Sequence, residues 1–287
     1  MFGLIDGMGA GSAKRRNIPF SLIRIMGSIG YITASIFAFF FMDKIGYTWM
    51  FTISATIIFL CFPISFLLVP FKGDEFVKRV ELTEAFNVEK KPFFKNVNLW
   101  LFLIFSALYY GGLNNYNYIV PIFMEQQGLT PGQTAIWTVV RVSVEMVIML
   151  LLPFFTKLFK GNKNTLITAC AFGLMALLFN AVLSNFQAIL WLTFISRGLG
   201  YGFGLVAIVL FAEEIVGEKD CSKACSLSNG VTYCVCGLLN LISPFIYENI
   251  GFNAYFWMAF IFMGLGVAVL FFIKQKRDSI KKSPANL

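Results

Sequence analysis

The chain has 287 residues, 58% of them apolar and only 13% charged. A water-facing globular surface needs roughly a quarter of its residues charged, so this composition excludes a soluble enzyme or soluble binding module and describes an integral membrane protein. The net charge of +8 gathers on no folded soluble domain, which leaves nucleic acid without a docking surface and makes the lysines and arginines a topology signal.

A bilayer core of about 30 Å takes about 20 apolar helical residues, and backbone groups in lipid must bond within their own segment, so long apolar runs are helices. The chain opens on Met1 to Gly11, a stub too short to cross. It lacks a basic start and is followed by Lys14-Arg15-Arg16 rather than a cleavage site, so it is no signal peptide. Two runs of spanning length follow, Phe20 to Phe41 and Tyr47 to Val69. Phe71 to Asn98 is then the only long polar segment, with seven charged residues between Phe71 and Ala85, and reads as a water-facing divider. Six more runs lie beyond it: Leu99 to Met124, Gln133 to Phe155, Thr165 to Ser184, Phe186 to Phe211, Ser226 to Tyr247 and Phe252 to Ile273. Pro121, Gln127-Gly128 and Pro131-Gly132 break the chain on one side, and Gly161-Asn162 breaks it on the other.

Basic residues cluster before the first run, in the divider, at Lys157 to Lys163, at Lys219 and Lys223, and from Lys274 to Lys282, whereas the opposite side carries only Lys44. The basic side is therefore expected to be cytoplasmic, with the C-terminus inside, as in a multi-pass protein of an inner membrane.

The turn Asp43-Lys44-Ile45-Gly46-Tyr47 recurs as Glu248-Asn249-Ile250-Gly251-Phe252, in each case acidic, any, Ile, Gly, aromatic. The offset of 205 between Gly46 and Gly251 also lays Tyr31 near Tyr233. Internal repeats of this kind build many transporter folds; the same offset puts the partner of Leu99 about a hundred residues before Met1, room for three more helices. The expected organisation is a remnant of an N-terminal six-helix bundle (residues 1–70), an inter-bundle loop (71–98), a complete C-terminal six-helix bundle (99–273) and a tail (274–287), in a parent with twelve helices.

A charge at the bilayer centre costs at least about 2.5 to 3.5 kcal/mol, so one that persists faces a cavity or a partner. Arg141, Glu145 and Arg197 fall near mid-helix. Arg141 and Glu145 are one turn apart and can neutralise each other; the favoured reading instead bridges Glu145 to Arg197 in a polar interior, or has Glu145 exchange a proton. Asn114, Asn115, Tyr116, Asn117 and Tyr118 form an unbroken polar run in one helix, while Ser228, Asn229, Thr232, Tyr233 and Asn240 stud another. These residues line a wet path or glue helices together. The helices from Thr165 and Phe252, almost wholly apolar, should face lipid. Near the start, Asp6 lies in the stub, and Arg24, Ser28 and Tyr31 share one helical face. They present a cation, a hydroxyl and an aromatic plate suited to a sugar, unless Arg24 merely snorkels to the interface.

Gly198, Gly200, Gly202 and Gly204 form two pairs with four-residue spacing, a packing signal. Cys61, Cys170, Cys234 and Cys236 read as small buried hydrophobes, and Cys221 and Cys225 as loop residues; with no histidine in the chain, no metal site or cofactor is expected. No nucleophile-base arrangement or phosphate loop supports an enzyme or a nucleotide-driven pump.

Three stretches, Arg24 to Tyr31, Pro153 to Asn164 and Tyr247 to Phe252, together with the hydropathy pattern, resemble the major facilitator superfamily. Within it they are most similar to the lactose permease type of oligosaccharide:proton symporter and its phenylpropionate-permease-like relatives. The resemblance implies an all-α membrane fold running from the end of helix four to helix twelve, and a monomeric secondary transporter of a small, sugar-like solute, with protons as the coupling partner; the alternatives are a transporter of an aromatic acid or nucleoside, and a non-transporting truncated membrane protein that serves as a sensor or assembly partner. In that family an acid at the end of helix four pairs with an arginine of helix five, and an aromatic residue of helix five stacks on the sugar. Asp6, Arg24 and Tyr31 fall on those positions. Arg197 stands where the family has a helix-ten histidine, and Gly200 where it has a proton-carrying glutamate. The acid-lysine pair of helices seven and eleven is neutral here, around Asn114 to Asn117 and Thr232, and Glu145 lies about a turn from the family's acid.

Overall fold

A computed structural model describes residue 9 and residues 18–66, 93–159, 161–183 and 185–274. Asp6, the body of the divider and the C-terminal tail lie outside the described residues. Every regular element among those described is helical. A continuous helical run, Phe20–Phe66, is interrupted at Gly46, which separates α1 (Phe20–Gly46) from α2 (residues 47–66). A short 3-10 turn at Phe93–Lys95 leads into α3 (Val97–Gln126), followed by α4 (Pro131–Leu158), α5 (Asn162–Val182), α6 (Phe186–Val216), α7 (Glu218–Asn249) and α8 (Phe252–Phe272). Seven of these are long and apolar enough to cross a membrane, while the apolar segment Thr48–Leu60 of α2 is shorter.

Each predicted run falls on one helix, but α1, α3, α4, α6 and α7 outlast their runs. Pro121 lies inside α3 instead of ending it, because helices in lipid tolerate a proline whose freed carbonyl finds another donor. At the basic side α6 continues to Val216 and α7 already starts at Glu218, so Cys221 and Cys225 are not in a loop. They occupy the first turns of α7 and are buried. The sequence there is polar because these turns extend past the apolar slab; polarity did not mean a break. The break is Gly217 alone, at φ 85° and ψ 166°. Gly46 (φ 75°, ψ 170°) and Gly251 (φ 111°, ψ 163°) adopt the same corner of backbone space, which is essentially closed to residues with a Cβ. The recurring Ile-Gly-aromatic turn is thus one backbone solution used twice, before α2 and before α8.

In packing, α6 contacts α4, α5 and α7; α8 contacts α3, α5 and α7; and the α1–α2 unit lies against α4. Large side chains such as Phe102, Tyr109, Leu166, Phe211, Phe256 and Met263 fill the core. Gly198 and Gly202 face α4, where an added Cβ would lie 2.6 Å from Val144 Cβ and from Ile148 Cβ respectively; at Gly200 it would lie 3.1 Å from the Ala169 carbonyl of α5. The two glycine pairs therefore seat α6 against different neighbours. On α1 the buried side chains include Ser21, Ile25, Ser28 and Ser35, three serines at seven-residue spacing that bring this helix close to α4. Helices α5 and α8, expected to face lipid, do so with one face only. Thr165, Ala169 and Asn180 of α5 and Tyr255, Ala259 and Met263 of α8 are buried.

A π turn at Ser106–Tyr110 interrupts α3. The Ser106 carbonyl receives the Gly111 N–H five residues on and also accepts from the Thr232 hydroxyl of α7 at 3.1 Å. The same turn aims Tyr109 at the Ala169 carbonyl, 3.4 Å away. Such turns are frequent at functional sites.

Candidate functional site

Helix α4 holds Arg141 and Glu145 one turn apart, and Arg141 Nη1 donates to Glu145 Oε2 at 3.4 Å. The other carboxylate oxygen, Oε1, accepts from Ser28 Oγ of α1 at 2.9 Å. Glu145 is 5% exposed, so the low-polarity surroundings strengthen both contacts. Arg24 lies one turn before Ser28 on α1. The Arg141 guanidinium lies 4.8 Å from the ring centroid of Tyr201 and 5.6 Å from that of Tyr31, within cation-π range. Tyr31 is itself half-exposed.

Arg197, on α6, is buried and has a different environment. Its guanidinium lies 5.0 Å from the Tyr116 centroid and 5.1 Å from the Phe194 centroid. Nη2 donates to Asn117 Oδ1, and Asn117 Nδ2 in turn donates to the Tyr201 hydroxyl. The Nε–H has no partner among the described residues. Tyr201 thus joins two groups of residues, with its ring beneath Arg141 and its oxygen bound to the amide that holds Arg197. The expected Glu145–Arg197 bridge does not form. Both oxygens of Glu145 are taken by donors closer at hand, one a turn away on α4 and the other across the α1 interface. Arg141 and Glu145 neutralise each other, and Arg197 is left to aromatic faces and an amide.

A cluster of one acid and two arginines, buried at mid-helix where α1, α3, α4 and α6 converge, fits a solute path through a helical membrane protein. A sequence profile of the Major Facilitator Superfamily matches residues 11–231, more than half of the chain, and also residues 161–287. The chain belongs to the Major Facilitator Superfamily. No curated protein matches it. Superfamily members are secondary transporters that bind small molecules within a lipid membrane, and the seven helices of spanning length make this chain a multi-pass membrane protein of that kind.

Several residues expected to line the superfamily's solute path do other work. Asn115, 1% exposed, donates from Nδ2 to Asn240 Oδ1 at 2.8 Å, and its Oδ1 accepts from Tyr255 at 2.8 Å and Ser243 at 3.1 Å. It is a three-helix joint between α3, α7 and α8. Thr232 is buried on the π turn. Asn114 is partly exposed, Tyr118 is 58% and Tyr233 50% exposed, and among the described residues no contact joins Asn114 or Tyr118 to the charged cluster. Of the polar run on α3, Tyr116 and Asn117 reach it. Cys234, expected to be buried, is exposed on α7.

Two residues of the site escaped the sequence reading. Tyr201 lay within the glycine stretch read for packing, and the available signal was its one-turn spacing from Arg197. Asn180, on α5, lies 2.6 Å from the Tyr116 hydroxyl and 3.1 Å from Thr193 Oγ1, fixing the ring beneath Arg197; its signal was a lone amide in an apolar span. Among the described residues no cluster of Cys, Asp and Glu could hold a metal ion.

Proposed function

We propose that the chain moves a small polar solute, a sugar or glycoside, across the inner membrane by alternating access, with Glu145 coupling the movement to protons. In this reading α1 and α2 belong to one bundle and α3 to α8 to the other, with the C-terminus cytoplasmic. The observation that carries it is Glu145 held between two helices, by Arg141 on its own α4 and by Ser28 of α1. A carboxylate in that position changes its hold on both helices when it gains a proton, because the neutral acid no longer attracts the guanidinium. Tyr31, half-exposed beside Arg141, offers a ring face on which a sugar can stack.

The test is uptake of labelled sugars into proteoliposomes under an imposed pH gradient. Glu145→Gln is expected to abolish accumulation while leaving solute exchange intact. Accumulation equal to wild type in that variant would remove Glu145 from the coupling step, and no uptake of any sugar would end the sugar assignment.

A further inference from the structure

Within the site just described, the charges do not balance. Glu145 is committed to Arg141 and Ser28. Among the described residues, Arg197, 5% exposed, is paired with no carboxylate; its bonded partner is the neutral amide of Asn117, and its two flanking rings solvate the cation without cancelling its charge. A buried cation without a counter-charge is costly, and proteins keep one where a ligand supplies the missing charge. Two further observations say where that ligand goes. The Nε–H of Arg197 is buried and unbonded, and the Tyr201 hydroxyl, which accepts from Asn117, keeps its own proton for an acceptor that no described residue provides. Both are donors.

From this geometry we infer that the transported solute is a small organic carboxylate whose anionic group docks on Arg197, with Tyr201 as second donor. A planar guanidinium edge matches a planar carboxylate, and one uncompensated cation calls for one negative charge. The inference rests on the transporter reading for the location of the solute site and narrows that reading to an acid.

Equilibrium binding to the purified chain in detergent micelles, measured by titration calorimetry, tests it without requiring transport. The probes are D-glucuronate, D-glucose and benzoate. Glucuronate is expected to bind at least about tenfold more tightly than glucose, and Arg197→Gln to weaken acid binding by about tenfold to a hundredfold, the loss of a charged hydrogen-bond partner, and so to erase the preference for glucuronate over glucose. Arg197→Gln should also melt at or above the wild-type temperature, since it removes an unbalanced buried charge, whereas a structural arginine would lower it. Arg197→Lys keeps the charge without the fork, and should keep the preference for acid over neutral sugar at reduced affinity. Binding of benzoate but not glucuronate would support the carboxylate and place it on an aromatic scaffold, ending the sugar assignment. Equal binding of glucose and glucuronate by the wild type, or a preference for glucuronate that survives in Arg197→Gln, would overturn the inference while leaving proton-driven sugar uptake and its dependence on Glu145 intact. Acid binding through Arg197 without uptake in proteoliposomes would keep the inference and overturn the transport reading instead.

Discussion

Asn115 separates a path-lining role from a load-carrying one. Its amide makes three interhelical hydrogen bonds, to Asn240 at 2.8 Å, Tyr255 at 2.8 Å and Ser243 at 3.1 Å. In membrane bundles such bonds average about 0.6 kcal/mol and reach about 1.7, so Asn115→Ala should cost about 2 to 5 kcal/mol of stability. The upper part of that range is favoured because the Tyr255 hydroxyl, fully buried, would lose its acceptor, whereas Ser243 still donates to the Leu239 carbonyl at 2.7 Å. Tyr255→Phe removes one bond and keeps the ring, so it should cost about 0.6 to 1.7 kcal/mol. The double variant should cost less than the two singles together, because they share a contact. Thermal melts and SDS titration of the purified chain give these values, and solute binding by the folded fraction should be unchanged. A variant that melts like wild type but loses solute would refute the joint and return Asn115 to the path.

Gly202→Ala should destabilise by about 1 to 3 kcal/mol through overpacking, because its Cβ would lie 2.6 Å from Ile148 Cβ and 3.0 Å from the Glu145 carbonyl; Gly237→Ala, with nothing within 4 Å, is the neutral control in the same melts. Asp43→Ala should lower stability by about 1 kcal/mol, since the Asp43 carboxylate receives the Thr130 hydroxyl at 2.7 Å and the Gly132 N–H at 3.0 Å at the start of α4; Asp43→Asn, which keeps an acceptor, should recover part of the loss by the same measurement.

The helices were legible because lipid permits few alternatives: an apolar run of spanning length has no other way to satisfy its backbone. The turn glycines were legible for a related reason, since the conformation at Gly46 and Gly251 excludes other residues. Helix ends were less so, because α6 and α7 continue into water, where Glu213, Lys219 and Lys223 carry no hydropathy signal. The site was legible in its members more than in its pairings. Arg24, Ser28, Tyr31, Asn117, Arg141, Glu145 and Arg197 stand out as polar groups at costly depth. Which of them meet depends on helix rotation: a small rotation of α3 decides that Asn117 faces Arg197 while Asn115, two residues earlier, faces α7 and α8. Composition carries no such information, and the π turn at Ser106–Tyr110 shifts the phase of α3 just before these residues.

The α1–α4 seam has a composition that suits relative motion. Along α1 the buried positions Ser21, Ser28 and Ser35 are short, so two helices can slide without leaving large voids or forcing long side chains past one another. Among the described residues, two carboxylates carry hydrogen bonds across the seam: Asp43 of α1, bound to the start of α4, and Glu145 of α4, bound by Ser28. The first caps a helix end. The second depends on a carboxylate whose other oxygen is tied to Arg141, so a proton on Glu145 weakens one helix's internal pair and alters the cross-helix contact in the same event. In the proton-coupled reading proposed above, the tie at Glu145 is therefore the one on which a proton would act.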